Sequence, residues 1–419
     1  MKTRNKPFSR EEIAAILSKI GASLAPPTYP PPGQKTTVEV GRSYMEKCEA
    51  AFTKLLIPEY DSRGVGPFKS LPDAYVCFTG DSEVSGRLNP NNLSPDIRSH
   101  QDFNSNTFTY ALMNAMNVYL SMIYKDFPYH EDILISKKIK VTDFRAITAI
   151  QLQYFGELPD VDPETGDYDN MGPYTDTKAD YRLGQKGGIV WVTRRHVIDN
   201  AIGLVQDLVK RMAKAARLAH ARYVWKFYAD NALCPDGSSW FTSDHGNLGA
   251  DALDITPLVT AITALANMTD PGPSGEKIGL DLATFNWHLV VPTAMWDLAV
   301  KKNQADSSYA ANDLTTKVPN PSQRLFGDRN ERIVTCPFLT DANDWGLIRD
   351  KEDVPIVEMA YMNGHEVPDF ITEWTPQSSL ITTQSTAFTF KDEKLGFKVR
   401  HEYGGALADY RGGYKALPA

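Results

Sequence analysis

The feature that most constrains this chain is an acidic hairpin running directly into a long amphipathic helical pattern, together spanning Phe155–Asn231. The hairpin runs out through Gly156-Glu157-Leu158-Pro159-Asp160-Val161-Asp162-Pro163-Glu164-Thr165-Gly166-Asp167 and returns through Tyr181-Arg182-Leu183 and Ile189-Val190-Trp191-Val192. It is too polar to form a core of its own, so it requires a neighbour to lie on. Pro163 sets the first dihedral of a turn near the tip, and Gly166 can take the positive φ that ends it. Gly184, Gly187 and Gly188 let the return limb flex or bulge. Behind it, Ile198, Ile202, Val205, Val209, Met212, Ala216, Ala219, Tyr223 and Phe227 recur at steps of three and four, one apolar stripe of an unbroken helix. Thr193 or Asp199 is placed to cap it, and a helix from Asp199 to Asp230 would be about 45–50 Å long. A projecting finger on a rigid strut suits contact with other molecules more than it suits a catalytic pocket.

A chain of 419 residues buries a large core and divides into two or more domains. Its net charge of -8 argues against a dedicated nucleic-acid binder, which would carry a basic patch. The basic residues along the helix (Lys210, Arg211, Lys214, Arg217, Arg222, Lys226) read as its solvated face. Cys48, Cys77, Cys234 and Cys336 are scattered, without a CxxC pair or a histidine at zinc-finger spacing. They read as reduced thiols of a cytosolic protein, not as a disulfide framework or metal site. Met1–Pro7 is charged with no apolar run behind it, unlike a secretory signal. No apolar segment approaches the roughly 18 residues of a membrane span.

Ser9-Arg10-Glu11-Glu12 has the form of a capping box, with Ile13, Ile16, Leu17 and Ile20 on one helical face. Pro26 to Gly33 then forces an extended strap, so this helix either docks elsewhere or touches another subunit. Gly64 to Ser99 reads as irregular and surface-following, with Ala74–Phe78 an apolar island. Ser99–Phe127 returns to helical period through Phe108, Leu112, Ala115, Tyr119 and Ile123. From Leu233 the texture becomes mixed α/β. Thr256-Pro257 opens a helix through Leu258, Ile262 and Leu265, and Thr293 caps another through Met295, Leu298 and Ala299. Strands are predicted at Trp287–Val291, Arg332–Thr335, Trp345–Ile348, Ile356–Met359, Ala387–Phe390 and Phe397–Arg400. Lys391–Gly396 would join the last two as a hairpin connection, and Lys302–Asn330 reads as polar loop.

The sequence offers little chemistry. His130-Glu131, His365-Glu366 and His401-Glu402 lack the following histidine of a zincin helix, and the glycines at 184–188 lack phosphate-loop spacing. There is no Gly-x-Ser-x-Gly elbow. In Ser243-Asp244-His245-Gly246-Asn247, Asp244 and His245 form a candidate general-base pair, but adjacent residues rarely face one another, and the segment reads better as a tight turn. Asp160, Asp162, Glu164, Asp167 and Asp169 could ligate Ca²⁺, yet their spacing is not that of an EF-hand and a solvated acidic tip accounts for them. No residue is assigned to catalysis, cofactor or metal.

The hairpin and helix of Gly156–Asn231, the turn Asp236-Gly237 to Trp240-Phe241, His245-Gly246-Asn247-Leu248, Leu289-Val290-Val291-Pro292 and Gly364-His365-Glu366-Val367-Pro368 follow one another in a familiar order. The ending, Val399-Arg400-His401-Glu402-Tyr403-Gly404-Gly405 through Asp409-Tyr410-Arg411-Gly412-Gly413, completes it. On these motifs, over roughly the last three quarters of the chain, the sequence resembles the major capsid proteins of tailed bacteriophages. These have the HK-ninety-seven-type head fold, and the likeness is greatest to Mu-type head subunits. The resemblance implies an α+β fold with an N-terminal arm at 1–103 and the first part of a peripheral domain at 104–155. It further implies an extended β-hairpin loop at 156–188, a spine-helix segment at 189–231 (helix Asp199–Asp230), an axial α/β domain at 232–353 and peripheral C-terminal strands at 354–419. It implies pentamers and hexamers closing into an icosahedral shell around double-stranded DNA. The partners would be the subunit itself, a portal, and scaffolding or decoration proteins, with no membrane and no cofactor. The protein would be made and assembled in a host bacterial cytoplasm and end in the virion. Inter-subunit contacts would fall on Leu158, Pro159, Asp160, Asp162, Glu164, Asp167, Tyr168, Lys178, Tyr181, Arg182 and Lys186. Lys178 and Lys186 also sit where some members cross-link to a neighbour's Asn. Residues 1–100 are long enough for a cleaved scaffolding segment but lack its sustained heptads.

Two other readings stand beside this one. The same fold builds cellular encapsulin compartments, which would require a cargo-docking inner surface. A hydrolase using Asp244 and His245 would lose activity in His245→Ala.

Overall fold

The computed structural model describes residues 44–79, 81–84, 106–151, 160, 177–200, 202–269, 287–305, 307–310, 313–351, 354–372 and 394–418. The predicted helix at Ser9–Ile20, the proline strap, the outbound hairpin limb at 156–167 and the strand at Ala387–Phe390 lie outside them, Asp160 excepted.

In chain order the elements begin with α1 (Tyr44–Leu56), α2 (Leu71–Thr79), α3 (Asn106–Asp126), β1 (Ile135–Val141), β2 (Ile147–Gln151), β3 (Thr177–Tyr181) and β4 (Gly184–Thr193). Then come α4 (Arg194–Ile198), α5 (Ile202–Ala229), β5 (Leu248–Gly249), α6 (Ile255–Ala266), β6 (His288–Val291) and α7 (Trp296–Gln304). The ribbon strands β7 (Ser307–Ala310) and β8 (Asp313–Pro319) precede β9 (Ile333–Thr335), β10 (Trp345–Ile348), β11 (Val357–Met362), β12 (Asp369–Thr372), β13 (Lys394–Leu407) and β14 (Gly413–Ala416). The chain divides into two compact units, residues 1–128, 185–218 and 364–402 in the first and 129–184, 219–363 and 403–419 in the second.

The first unit is built around aromatic contacts between distant helices. Phe52 on α1, Tyr75 and Phe78 on α2 and Phe108 on α3 are all fully buried. Tyr75 meets Phe108 edge-on with ring centroids 5.0 Å apart, and Phe52 lies 5.7 Å from the same ring. Val205, Val209 and Ala213 of α5 and Val192 of β4 close this core. The island Ala74–Phe78 is therefore a buried helix, not a surface segment, because its aromatic side chains meet Phe52 and Phe108, 26 to 33 residues away. Asn117, buried on α3, donates to the Phe370 carbonyl (3.2 Å) and accepts from its amide (3.1 Å), fastening β12. β12 then runs antiparallel to β13, Asp369 opposite Arg400. Lys394–Gly396 already belong to β13 and are not turn residues.

The long helix is broken where the sequence pattern ran through. Thr193 does cap, with His196 in a reciprocal capping box, but the helix it opens is the five-residue α4. Asn200 sits at φ 52°, a left-handed conformation that Asn tolerates better than most residues. Its side chain accepts from the Leu71 amide at 2.8 Å, satisfying a donor at the start of α2. The chain restarts at Ile202 as α5, whose 28 residues span about 42 Å. Its buried stripe also moves: Val205, Val209 and Ala213 in the first half give way to Ala221, Val224, Trp225 and Tyr228 in the second. Ile198, predicted inward, is 45% exposed.

In the second unit β1 runs parallel to β11, and β11 antiparallel to the end of β13, Val357 opposite Leu407. A second sheet has the order β5-β14-β10-β6-β9. Against it α6 and α7 bury Leu258, Ile262, Leu265 and Ala299 with Trp287, Leu289 and Leu347. Each of three buried indoles donates to a carbonyl: Trp225 to Tyr129, Trp240 to Tyr410 and Trp345 to Asp251. Asn247, fully buried, donates to the carbonyls of Trp240 (2.8 Å) and Gly413 (3.2 Å) and accepts from the Thr242 amide. It ties the turn after Trp240 to β14. Residues 307–310 and 313–319, read as loop, pair as the ribbon β7–β8. The cap of α6 is Asp254, one turn ahead of Pro257, and Thr293 opens a short 3-10 turn before α7 instead of capping it through its side chain.

Asp254 supplies a test. Its partial burial opposes the charged carboxylate, but hydrogen bonds from Lys302 Nζ (2.7 Å) and the Ile255 amide (2.6 Å) outweigh this and hold its pKa low. A depressed carboxyl stabilises the fold above its unfolded pKa near 4 and loses that contribution as pH falls. Unfolding midpoints of the native chain should therefore exceed those of Asp254→Ala at pH 7, and the gap should narrow below about pH 4.

Candidate assembly surfaces

The base of the acidic hairpin is formed by β2 and β3, antiparallel with Ile147 opposite Tyr181 and Gln151 opposite Thr177. The outbound limb thus begins nine residues earlier than the sequence pattern placed it. Alternation gives the ribbon two faces. Ala149 and Tyr181 are buried with Leu183, Ala360 and Ala406, while Ile147 and Ala179 pack partly against them. Thr148, Ile150, Lys178 and Asp180 face outward, and Thr148 donates to Asp180 at 2.7 Å. A two-stranded ribbon alone is marginal in water. This one is stabilised by its second unit's own sheet.

Glu358 fixes that attachment. It lies on β11 and is only 4% exposed. One carboxylate oxygen accepts from the Tyr181 hydroxyl at 2.8 Å, and the other from Lys137 Nζ at 3.0 Å. Burial, and then the bond to Glu358, push the Tyr181 phenol well above its ordinary range, so it stays a donor. The chain leaves the ribbon through Arg182, whose carbonyl occupies the place a Cβ at Gly404 would need. Only glycine permits that approach.

Of the contact residues expected from the sequence, Asp160, Lys178, Arg182 and Lys186 are exposed, and Tyr181 is buried inside its own unit. Leu158, Pro159, Asp162, Glu164, Asp167 and Tyr168 lie outside the described residues. Ile189–Val192 does not return the hairpin; it is the end of β4, which pairs with β13. Val192 is buried and Val190 half-buried, whereas Ile189 and Trp191, on the opposite face, are 59% and 45% exposed. Ile198 and Leu204 follow at 45% and 42%, giving the first unit four large uncovered apolar side chains within sixteen residues. The sequence concealed these, because Ile189–Val192 reads there as the return limb of the polar hairpin and not as a strand of the first unit. In the second unit, Trp296 at the start of α7 is half exposed.

The Asp244/His245 pair is not assembled. His245 Nε2 lies 2.7 Å from Asp236 Oδ2, its Nδ1 is 3.1 Å from the Trp240 carbonyl, and its ring stacks on Tyr410 at 3.9 Å. Both ring nitrogens are committed to holding a turn closed at Gly246, φ 67°. Among the described residues no group of three or more His, Cys, Asp or Glu is placed to hold a metal ion. No described helix is long and apolar enough to cross a membrane.

The second unit thus carries a ribbon anchored to its own sheet, and the first carries a strand whose outer face is apolar and uncovered. The sequence places the chain more closely. A family model described as phage capsid protein matches residues 176–416, more than half of the chain. The chain belongs to that family, and is a capsid protein with a mixed helix-and-sheet (α+β) fold. No curated protein matches it. Among solved structures it is similar to the capsid of a native GTA particle, at 12% identity and TM-score 0.43, over 70% of this chain and 92% of that one. A Mycobacterium phage Patience structure gives 12% and 0.43 over 74% and 88%, and a satellite phage P4 procapsid 13% and 0.35 over 74% and 90%.

The Glu358 clamp makes a measurable claim. Glu358→Ala should lower unfolding stability by about 2–3 kcal/mol and Tyr181→Phe by about 1 kcal/mol. The double variant should lose less than the sum, since both changes break one interaction. Urea unfolding of the four proteins checks this.

Proposed function

We propose that the chain is the major subunit of an icosahedral shell, assembling with copies of itself into pentamers and hexamers around double-stranded DNA. In this reading it is a building component without catalytic turnover. It is produced and assembled in a host bacterial cytoplasm and joined there by a portal and by scaffolding or decoration proteins. Residues 1–103 serve as arm, with α1 and α2 folded back into the first unit's core, 156–188 as extended loop rooted on β2 and β3, 232–353 as axial domain, and the flanking segments with α5 as peripheral domain.

The observation that carries this reading is the uncovered face of β4 in a chain of the capsid family. A tryptophan side chain covers about 150–250 Å². Removing such area from water is worth roughly 25 cal/mol per Å², so Ile189 and Trp191 are costly to leave wet unless a neighbour covers them. Obligate assemblies bury about 2,000–5,000 Å² per interface, and an arm with a long loop extends reach without enlarging the core. Heterologous contacts of that kind close into rings. The net charge of -8 keeps the subunit from gripping a polyanion along its length.

Two experiments test the reading. Replacing residues 152–176 by a short turn keeps the Tyr181–Glu358 anchor and should leave a folded subunit that forms no closed shells by negative-stain microscopy. Normal particles from this variant would remove the loop from assembly. Trp191→Ser should change subunit stability by no more than about 0.5 kcal/mol yet raise the protein concentration needed for shells at least tenfold in sedimentation velocity. An unchanged threshold would exclude the β4 face as a contact.

A further inference from the structure

Cys48 and Cys77 are 29 residues apart in sequence, with nothing in their spacing to connect them, yet their Sγ atoms lie 3.7 Å apart in the first unit. Cys48 projects from α1 and Cys77 from α2. Phe52, one turn beyond Cys48, meets Phe78, the neighbour of Cys77, edge-on at 6.1 Å. The aromatic contact therefore holds the two helices together where the thiols face each other. A disulfide requires about 2.05 Å between sulfurs, so closing the gap takes a small shift of two side chains rather than a new helix packing.

We propose that Cys48 and Cys77 are a redox-modification site, reduced when the subunit is made and joined as an intramolecular disulfide on meeting a peroxide-class oxidant. The two thiols differ in access: Cys77 is partly exposed and Cys48 is buried. Cys77 reacts first. Its sulfur attacks one peroxide oxygen, the O–O bond breaks, and one water leaves, giving a sulfenic acid. Cys48 Sγ then attacks Cys77 Sγ, the S–O bond breaks, and the second water leaves as the S–S bond forms. Two thiols and one hydrogen peroxide become one disulfide and two waters, the sulfurs oxidised and the peroxide reduced. The other cysteines serve as internal controls. Cys234 and Cys336 are buried in the second unit, and burial pushes both thiols up, Cys336 to about 11. Little thiolate exists there to react.

The link would close a loop across α1, α2 and the chain between them, constraining the unfolded ensemble. Its biological setting rests on the proposed shell reading: a reducing cytoplasm keeps the pair open during assembly, and oxidising surroundings after release lock it.

The test uses the full chain, treated with hydrogen peroxide and digested without reduction. The expected result is a peptide joining Cys48 to Cys77 with the loss of two hydrogens. Thiols titratable in denaturant should fall from four to two, and the first thermal midpoint should rise by about 5–10 °C. Cys77→Ser, a change at the more accessible position, should fold normally and lose both the cross-link and the rise. Four thiols surviving, links only between copies, sulfinic acids without a link, or the same rise in Cys77→Ser would each overturn the proposal. Particle formation is read separately on the same samples by microscopy. A disulfide without shells would therefore count against the shell reading alone, and shells without the disulfide against the redox site alone.

Discussion

A single helix, α5, carries the demand on which the other elements depend: it must bury one face along its first half and another along its second. An ideal helix keeps one stripe only if its apolar residues hold one period. Here Val205, Val209 and Ala213 set one line, and Ala221, Val224, Trp225 and Tyr228 set another. Each line serves a separate core, one rich in Phe from α1–α3 and one rich in Trp and Tyr from the segments after 219. The basic residues fill the sectors left over. Arg217, at the changeover, donates to the Phe127 carbonyl and lies over the Tyr124 ring at 5.3 Å, so even this charged position is used in packing.

Where segments distant in sequence cross, the structure joins them through buried polar groups whose hydrogen bonds run to backbone. Asn117 does this for β12 and Asn247 for β14. A buried amide matched on both its donor and acceptor sides fixes position as well as adding stability, because any slip leaves a desolvated group unmatched. Glu358 follows the same logic with a charge. Its two oxygens hold one strand of the ribbon and one strand of the sheet.

Regular periodicity made much of this legible in advance. The repeat through Phe108, Leu112 and Ala115 located α3, and short apolar runs located β6, β9, β10 and β11. What escaped depended on partners remote in sequence. Ala74–Phe78 looked like an island because its aromatic neighbours are at Phe52 and Phe108. The break at Asn200 was hidden because the apolar spacing continues across it. β7 and β8 are polar strands with no alternation to mark them. Of the candidate contact surface, the sequence pointed to the hairpin but not to the outer face of β4. Ile189–Val192 reads as the hairpin's return limb until its pairing with β13 shows which side is covered. Glu358 did leave a trace, a lone carboxylate inside the apolar strand Val357–Met362, whose meaning required knowing that Tyr181 lies above it.

In the proposed shell reading, the uncovered face of β4 has a consequence for how the subunit behaves before it meets its partners. Hydrophobic association is non-directional, so Ile189 and Trp191 draw any apolar surface, correct or not. Mass action then sets a critical concentration: below it lone copies persist, and well above it nucleation outruns growth and yields incomplete fragments. The tackiness of one strand thereby becomes a dial on the rate of synthesis, favouring a supply of copies slow enough for misplaced contacts to come apart.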